Sequence, residues 1–176
     1  IGREYGTTFP TPAAAHAIAE ARLNTVRTLA ARAVEHDCQA VLVAGDVFDS
    51  QTVDNRTMRI LIDAMSGFSG HWILIPGNHD PALPESVWSR LLRSGITIPP
   101  NVHMVLKPGI LSFPEQGFAV LAAALTQKNT LVDLTDWFDG AETEEGLIRI
   151  GLAHGAVQGI LMDEAGAQNP ISATRA

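Results

Sequence analysis

Asp46, Asn78, His79, Asp80 and His154 are the residues of this chain whose types and positions suit shared chemistry. Asp46 stands in Gly45-Asp46-Val47-Phe48-Asp49, directly after the apolar run Ala40 to Ala44. Gly77-Asn78-His79-Asp80 follows a second apolar run, His71-Trp72-Ile73-Leu74-Ile75, and His154-Gly155 closes a third, Leu147 to Ala153. A carboxylate can bridge two divalent cations, and an amide oxygen and a neutral imidazole are good terminal ligands for manganese, iron or zinc. Two such cations about 3.5 to 4 Å apart activate a water between them and stabilise charge developing on a phosphoryl group. Gly45 and Gly77 allow tight turns out of the strands and close approach of the backbone to a metal or phosphate. Taken singly, each residue has a plainer reading. An Asp after a strand is often a turn or cap residue, Gly-Asn is a common turn signal, and a strand-end histidine is more often hydrogen-bonded than metal-bound. Three donor types at successive strand ends favour a shared metal site.

The elements that must position these residues alternate between helical and extended patterns. Ala13 to about His36 carries Leu23, Val26, Ala30 and Ala33 on one helical stripe, with Arg22, Arg27 and Arg32 assigned to a solvated face. Val41-Leu42-Val43 reads as a buried parallel strand, apolar on both faces. Asp54 is an N-cap candidate for a second helix through Ile60, Leu61, Ala64 and Met65, ended by Gly67. Trp72 to Ile75 is the next strand, and Glu85 to Leu92 a third helix stopped by Gly95. From Ile96 to Ala124 the proline- and glycine-punctuated pieces, including Val102 to Leu106 and Phe118 to Leu121, read as strands. Leu131 to Phe138 is expected to be a short helix and Leu147 to Ala153 a strand. Open α/β sheets bind ligands at the carboxyl ends of their strands, where the motifs sit. The remaining histidines, His16, His36, His71 and His103, read as surface or structural.

Composition bounds the function. The chain has 176 residues, 46% hydrophobic and 18% charged, which suits one globular domain and excludes disordered and fibrous classes. No apolar run approaches the roughly 18 residues of a membrane helix. One cysteine, Cys38, cannot form an internal disulfide, which favours a reducing compartment, so a cytoplasmic location is expected. The formal charge of −7 offers no general attraction for nucleic acid, so a phosphate substrate needs local cations.

With these motifs in order, the chain resembles the calcineurin-like metallophosphoesterases, and within them the SbcD-type DNA exonucleases. Members of the superfamily carry Asp-x-His, Gly-Asp-x-x-Asp, Gly-Asn-His-Asp/Glu, a lone strand-end His and Gly-His-x-His. The second, third and fourth of these match Gly45 to Asp49, Gly77 to Asp80 and His154. Ile1-Gly2-Arg3 resembles the residues that follow Asp-x-His, so a single domain over residues 1–176 is expected, cut at both ends. The resemblance implies an α/β fold, a four-layer α/β/β/α sandwich of two mixed sheets, here incomplete. It implies two divalent metal ions, foremost Mn²⁺, with Mg²⁺, Fe²⁺ or Zn²⁺ as alternatives. It makes Asp46 the bridging ligand, Asn78 and His154 ligands of the second ion, and His79 the group that protonates the leaving oxygen or stabilises the transition state. Asp80 is then expected to hold the His79 ring, Asp49 to be a structural partner, and Arg3 to contact a phosphate.

Protein phosphatases of the superfamily usually have Arg before Gly-Asn-His-Glu. Pro76 and Asp80 here, with Val47-Phe48-Asp49-Ser50, resemble the nuclease branch instead. The leading expectation is a metal-dependent phosphodiesterase cleaving DNA in repair, working with an SMC-like ATPase partner. The alternatives are a phosphatase or phosphodiesterase for nucleotides or other small phosphoesters, and, in another class, a non-catalytic interaction module. Without the flanking motifs the segment itself is expected to bind metal weakly and to be nearly inactive.

Overall fold

The computed structural model describes residue 1, residues 11–158 and residues 168–174. Arg3 lies outside the described residues. The first helix, α1, spans Pro12–Glu35; Thr11 caps it by accepting from the Ala14 amide at 3.2 Å, with proline in the first turn. It leads to strand β1, Ala40–Ala44. Helix α2, Asn55–Met65, starts as its sequence requires, with the Asp54 carboxylate accepting from the Thr57 amide at 2.8 Å. Strand β2, His71–Ile75, follows, then the short helix α3, Val87–Arg93. The cap of α3 is Ser86, so the helix starts two residues later than the expected Glu85, because Ser86 and Ser89 satisfy each other's amides in a capping box. Strand β3 is Val102–Met104, shorter than the apolar run that suggests it.

These strands form a parallel sheet in the order β1-β2-β3, with Ala44 paired to Ile75, so the chain leaves β1 and β2 at the same level. The strand period of two divides β2 between two cores. Trp72 and Leu74 face the helices and join Met58, Leu61, Trp88 and Leu91. Ile73 and Ile75 face the other way and meet a second sheet. That sheet consists of β4 (Gly109–Phe113), β5 (Phe118–Ala123) and β6 (Ile148–Ala153). Strands β4 and β5 are antiparallel and β5 and β6 parallel, so the sheet is mixed. Phe113, Phe118, Val120, Ala122 and Leu152 pack on Ile73 and Ile75. Each fully buried isoleucine at this junction contributes about 1.5–3 kcal/mol by removal of apolar surface from water.

The described layers are therefore helices, a parallel sheet and a mixed sheet. A fourth, helical layer is not among the described residues. Leu131 to Phe138, expected to be a helix, is a loop ending in a 3-10 turn at Asp136–Phe138, with Leu131 78% and Val132 63% exposed. Its hydrogen bonds explain the outcome: the Asp133 carboxylate accepts from the Thr135 amide at 2.8 Å and the Thr135 hydroxyl at 2.6 Å, a local turn that competes with helical bonding. Phe138 from this turn lies against Gly151 on the outer face of the mixed sheet. A two-stranded parallel pair, β7 (Ala156–Val157) and β8 (Pro170–Ile171), sits just beyond β6.

Candidate active site

Both motifs leave the parallel sheet through backbone that few residue types tolerate. Gly45 has φ +84° and Asp46 φ +53°, a left-handed pair that turns the Asp46 carboxylate back over the strand end. A side chain on Gly77 would collide with the backbone and carboxylate of Asp46, and one on Gly45 would collide with the His154 ring and lie 2.9 Å from Gly77 Cα. The glycines let three chain segments meet at one point.

Asp46, Asn78 and His154, from three strand ends in two sheets, converge there. The Asp46 carboxylate accepts from the His79 amide at 3.0 Å through Oδ1, and its Oδ2 lies 3.6 Å from His154 Nε2. His154 Nε2 is 2.8 Å from Asn78 Oδ1. The other ring nitrogen, Nδ1, is 2.8 Å from the Ala44 carbonyl, which only accepts, so Nδ1 carries the proton and donates. In a neutral ring Nε2 is then a bare lone pair facing the Asn78 oxygen, with a carboxylate oxygen nearby. Three electron-pair donors turned on one another are relieved by a cation. Donors about 2.1 Å from one ion lie roughly 3 to 3.5 Å apart, close to the 2.8 and 3.6 Å found here. The donor set therefore fits a divalent ion. The Ala44 carbonyl fixes the tautomer, as partners of metal-binding histidines commonly do. Among the described residues, no three His, Cys, Asp or Glu side chains form a metal-holding group; the third donor here is the Asn78 amide. Asp49 borders the same cavity as Asp46.

His79 is exposed at the mouth of the cluster. Its Nδ1 is 3.1 Å from the backbone carbonyl of Asp49, to which it donates. Asp80 does not hold this ring, contrary to expectation. Its carboxylate is 0% exposed and accepts from the Phe48 amide at 3.0 Å and the Gly77 amide at 2.6 Å. Burial raises its pKa above the ordinary carboxylate value, against the two amide bonds, which lower it. Asp80 ties the loop after β1 to the loop after β2. It thereby places Asp46 against His79 without touching the imidazole.

Other residues that pin the two loops escaped the sequence reading. Gln51 donates to the Pro81 carbonyl at 3.0 Å and accepts from the Val87 amide at 2.7 Å, and Arg90 donates to the carbonyls of Gln51 and Val53. The Trp88 indole donates to the Asp80 carbonyl at 2.6 Å and meets Phe48 edge-on at 5.2 Å. Behind His154, Asn169 is buried with φ +56°, accepts from the Thr130 amide at 2.9 Å, and its carbonyl accepts from Ala156 at 3.0 Å. No spacing rule reveals such long-range polar contacts, though the Phe48 and Trp88 aromatics flanking the motifs were a visible signal. A cavity of about 490 Å³ opens in front of Asp46, Asp49 and His79, and its far wall is Arg22, Thr25 and Val26 of α1. Arg22, assigned to a solvated helix face by its periodicity, borders the site instead.

The fold and this site define a class of metal-dependent phosphoester hydrolases. A family description, calcineurin-like phosphoesterase, matches residues 16–169, and the chain belongs to that family. Comparison with curated proteins returned no match. The family generally uses divalent metal ions. Among the described residues no helix is long and apolar enough to cross a membrane.

Proposed function

We propose that the protein is a metal-dependent phosphodiesterase that cleaves DNA, in the manner of SbcD-like nucleases acting in repair beside an SMC-like ATPase. The observation that carries the hydrolytic part is the convergence of Asp46 Oδ2, Asn78 Oδ1 and His154 Nε2 on one point, with His79 beside it. Pro76 before Gly77 and Asp80 closing the motif support the nuclease branch over the protein phosphatases. Bound divalent ions supply an activated water and neutralise charge on the phosphoryl group. Asp46, Asn78 and His154 would hold them, with Asp46 as the carboxylate the two ions would share. Mn²⁺ is the metal the family resemblance favours, and a donor set of one carboxylate, one amide and one imidazole also accepts Mg²⁺, Fe²⁺ or Zn²⁺.

His79 does the proton work. With Nδ1–H committed to the Asp49 carbonyl, Nε2 is the nitrogen that faces the leaving oxygen, and it hands over a proton when the ring is in its doubly protonated, imidazolium form. The carbonyl orients the ring, and the His79 amide in turn orients Asp46. Metal grip and acid are thus coupled through a single residue.

A second reading, a phosphodiesterase for nucleotides or small phosphoesters, is favoured by two features. The net charge is −7, and Arg32 of α1 is paired to Glu35 at 2.5 Å, which leaves no continuous basic track along that helix. The experiment is hydrolysis by the full-length protein with Mn²⁺ on linear duplex DNA, single strands and bis-p-nitrophenyl phosphate, beside His79→Ala. Duplex cleavage lost by roughly 10²–10⁴-fold in the variant, with Mn²⁺ binding kept, is expected. Hydrolysis of the small diester without DNA cleavage selects the second reading. No metal-dependent activity on any substrate refutes both and leaves the non-catalytic module.

A further inference from the structure

The cavity in front of Asp46 and His79 has a cationic wall that the metal-centred chemistry leaves unused. Arg22, Thr25 and Val26 line it from α1, and Asp46, Asp49 and His79 line it from the two motif loops. Helix geometry puts Arg22 there. Leu23 and Val26 pack on the core and Ala30 and Ala33 are buried within it, so Arg22, about 100° around the helix from Leu23, stands on the edge of the buried stripe. The other arginines of α1, Arg27 and Arg32, do not line this cavity. Arg27 donates to Asn24 at 2.6 Å and borders a separate groove between α1 and α2, and Arg32 pairs with Glu35.

Charge sharpens the case. A phosphoester entering this cavity meets two carboxylates, Asp46 and Asp49, on a chain of net charge −7. Among the described residues that line it, Arg22 alone carries a permanent positive charge. A guanidinium fork matches the paired non-bridging oxygens of a phosphate, where an ammonium offers only a point charge.

We propose that Arg22 is a substrate-binding residue whose guanidinium makes a bidentate contact with the non-bridging oxygens of the phosphoester. This rests on the phosphoester reading above. Arg22 supplies a cation independent of the metal ions, and its fork needs a phosphorus centre with at least two free oxygens, which monoesters and diesters both provide. The Thr25 hydroxyl beside it donates to the Ala21 carbonyl at 2.9 Å and is committed to the helix.

The test is calorimetric titration of inorganic phosphate into the full-length protein with Mn²⁺ present, comparing native, Arg22→Gln, Arg22→Lys and the control Arg27→Gln. Arg22→Gln is expected to weaken phosphate roughly tenfold or more and Arg22→Lys about threefold, with Mn²⁺ affinity and melting temperature unchanged. Arg27→Gln is expected to bind as the native chain does. Phosphate affinity in Arg22→Gln within about twofold of native overturns the proposal, as does an equal loss in Arg27→Gln. A parallel fall in Mn²⁺ affinity also overturns it, because Arg22 would then act through the metal ligands. If Arg22→Gln does not fold, Arg22→Lys decides, and native phosphate affinity in that variant rules out the fork. Hydrolysis assays separate the two claims. Phosphate binding that depends on Arg22 in a protein without hydrolytic activity supports this inference and removes the proposed activity. Hydrolysis with phosphate binding indifferent to Arg22 removes this inference alone.

Discussion

Replacing Asp80 tests whether the site is assembled by a buried carboxylate rather than by a ring contact. Its two oxygens accept from the Phe48 and Gly77 amides, both in surroundings closed to water. A buried donor left without a partner costs about 1–3 kcal/mol, so Asp80→Ala stands to lose about 2–6 kcal/mol. Relief from burying a carboxylate offsets part of that loss. Asp80→Asn keeps one acceptor and sets its amide group against the other N–H, so about 1–3 kcal/mol is expected. For a chain of this size each kcal/mol moves the melting temperature about 2–4 °C, which makes either loss measurable. The pH dependence follows from the raised pKa. Burial, the largest influence, favours the protonated carboxyl in the folded state above its ordinary value of 3.8. The stability this group contributes is therefore complete below that value and is lost as pH rises through the raised folded value. Asparagine has no such loss, so the native advantage over Asp80→Asn is largest in acid and narrows toward neutrality. Urea unfolding of native and variant at about pH 4 and about pH 7.5 measures it, and the other carboxylates cancel in the difference. An advantage that grows toward neutral pH would show that the amide bonds outweigh burial. A stable Asp80→Ala protein would refute the staple outright.

Three further outcomes are expected. His154→Ala should weaken Mn²⁺ by about 100-fold or more in calorimetry, since it removes a donor atom and not merely its orienting partner; unchanged affinity would detach His154 from the metal. Gly77→Ala should cost about 1–3 kcal/mol in urea unfolding and also weaken Mn²⁺, because the added methyl meets the Asp46 backbone, which cannot move aside without carrying the carboxylate with it. His103, whose Nε2 lies 3.1 Å from His71 Nδ1, has a pKa lowered from 6.5 first by burial and then by His71. A depressed histidine contributes stability above its unfolded value that is lost as pH falls through the folded one. Acidification below pH 6.5 should therefore destabilise the native chain more than His103→Gln, and equal acid sensitivity in thermal melts would contradict this.

Much of the fold was legible because local signals agreed with one another. Asp54 and the β-branched runs at Val41-Leu42-Val43 and Trp72 to Ile75 act through neighbours within a few residues, and their elements form where the pattern places them, although β1 is not buried on both faces as expected, with Leu42 36% exposed. Leu131 to Phe138 went the other way: its apolar residues promised a buried helix face, but Asp133 and Thr135 bond locally and Leu131 stays in solvent. Asp80 was misread for a related reason. Adjacency to His79 in sequence suggested adjacency of side chains, whereas the two point to different partners, one to buried amides and one to the Asp49 carbonyl. Arg22 was hidden because helical periodicity separates a buried face from an exposed one without saying what the exposed face looks onto.

The separation of the two sheets is what finally decides the site. Asp46 and Asn78 follow neighbouring strands of one sheet and are fixed relative to each other by the register that pairs Ala44 with Ile75. His154 follows β6 of the other sheet, and among the described residues no backbone ladder links it to them. Its distance from Asn78 is set by the packing of Ile73 and Ile75 on Val120, Ala122 and Leu152, and by the hydrogen bond from its Nδ1 to the Ala44 carbonyl. Interiors packed to crystal-like density transmit small volume changes, so a methylene lost at Ile75, which offers no donor atom itself, shifts one ligand against the other two. Mn²⁺ affinity therefore reports on this apolar core as directly as it reports on the donors themselves.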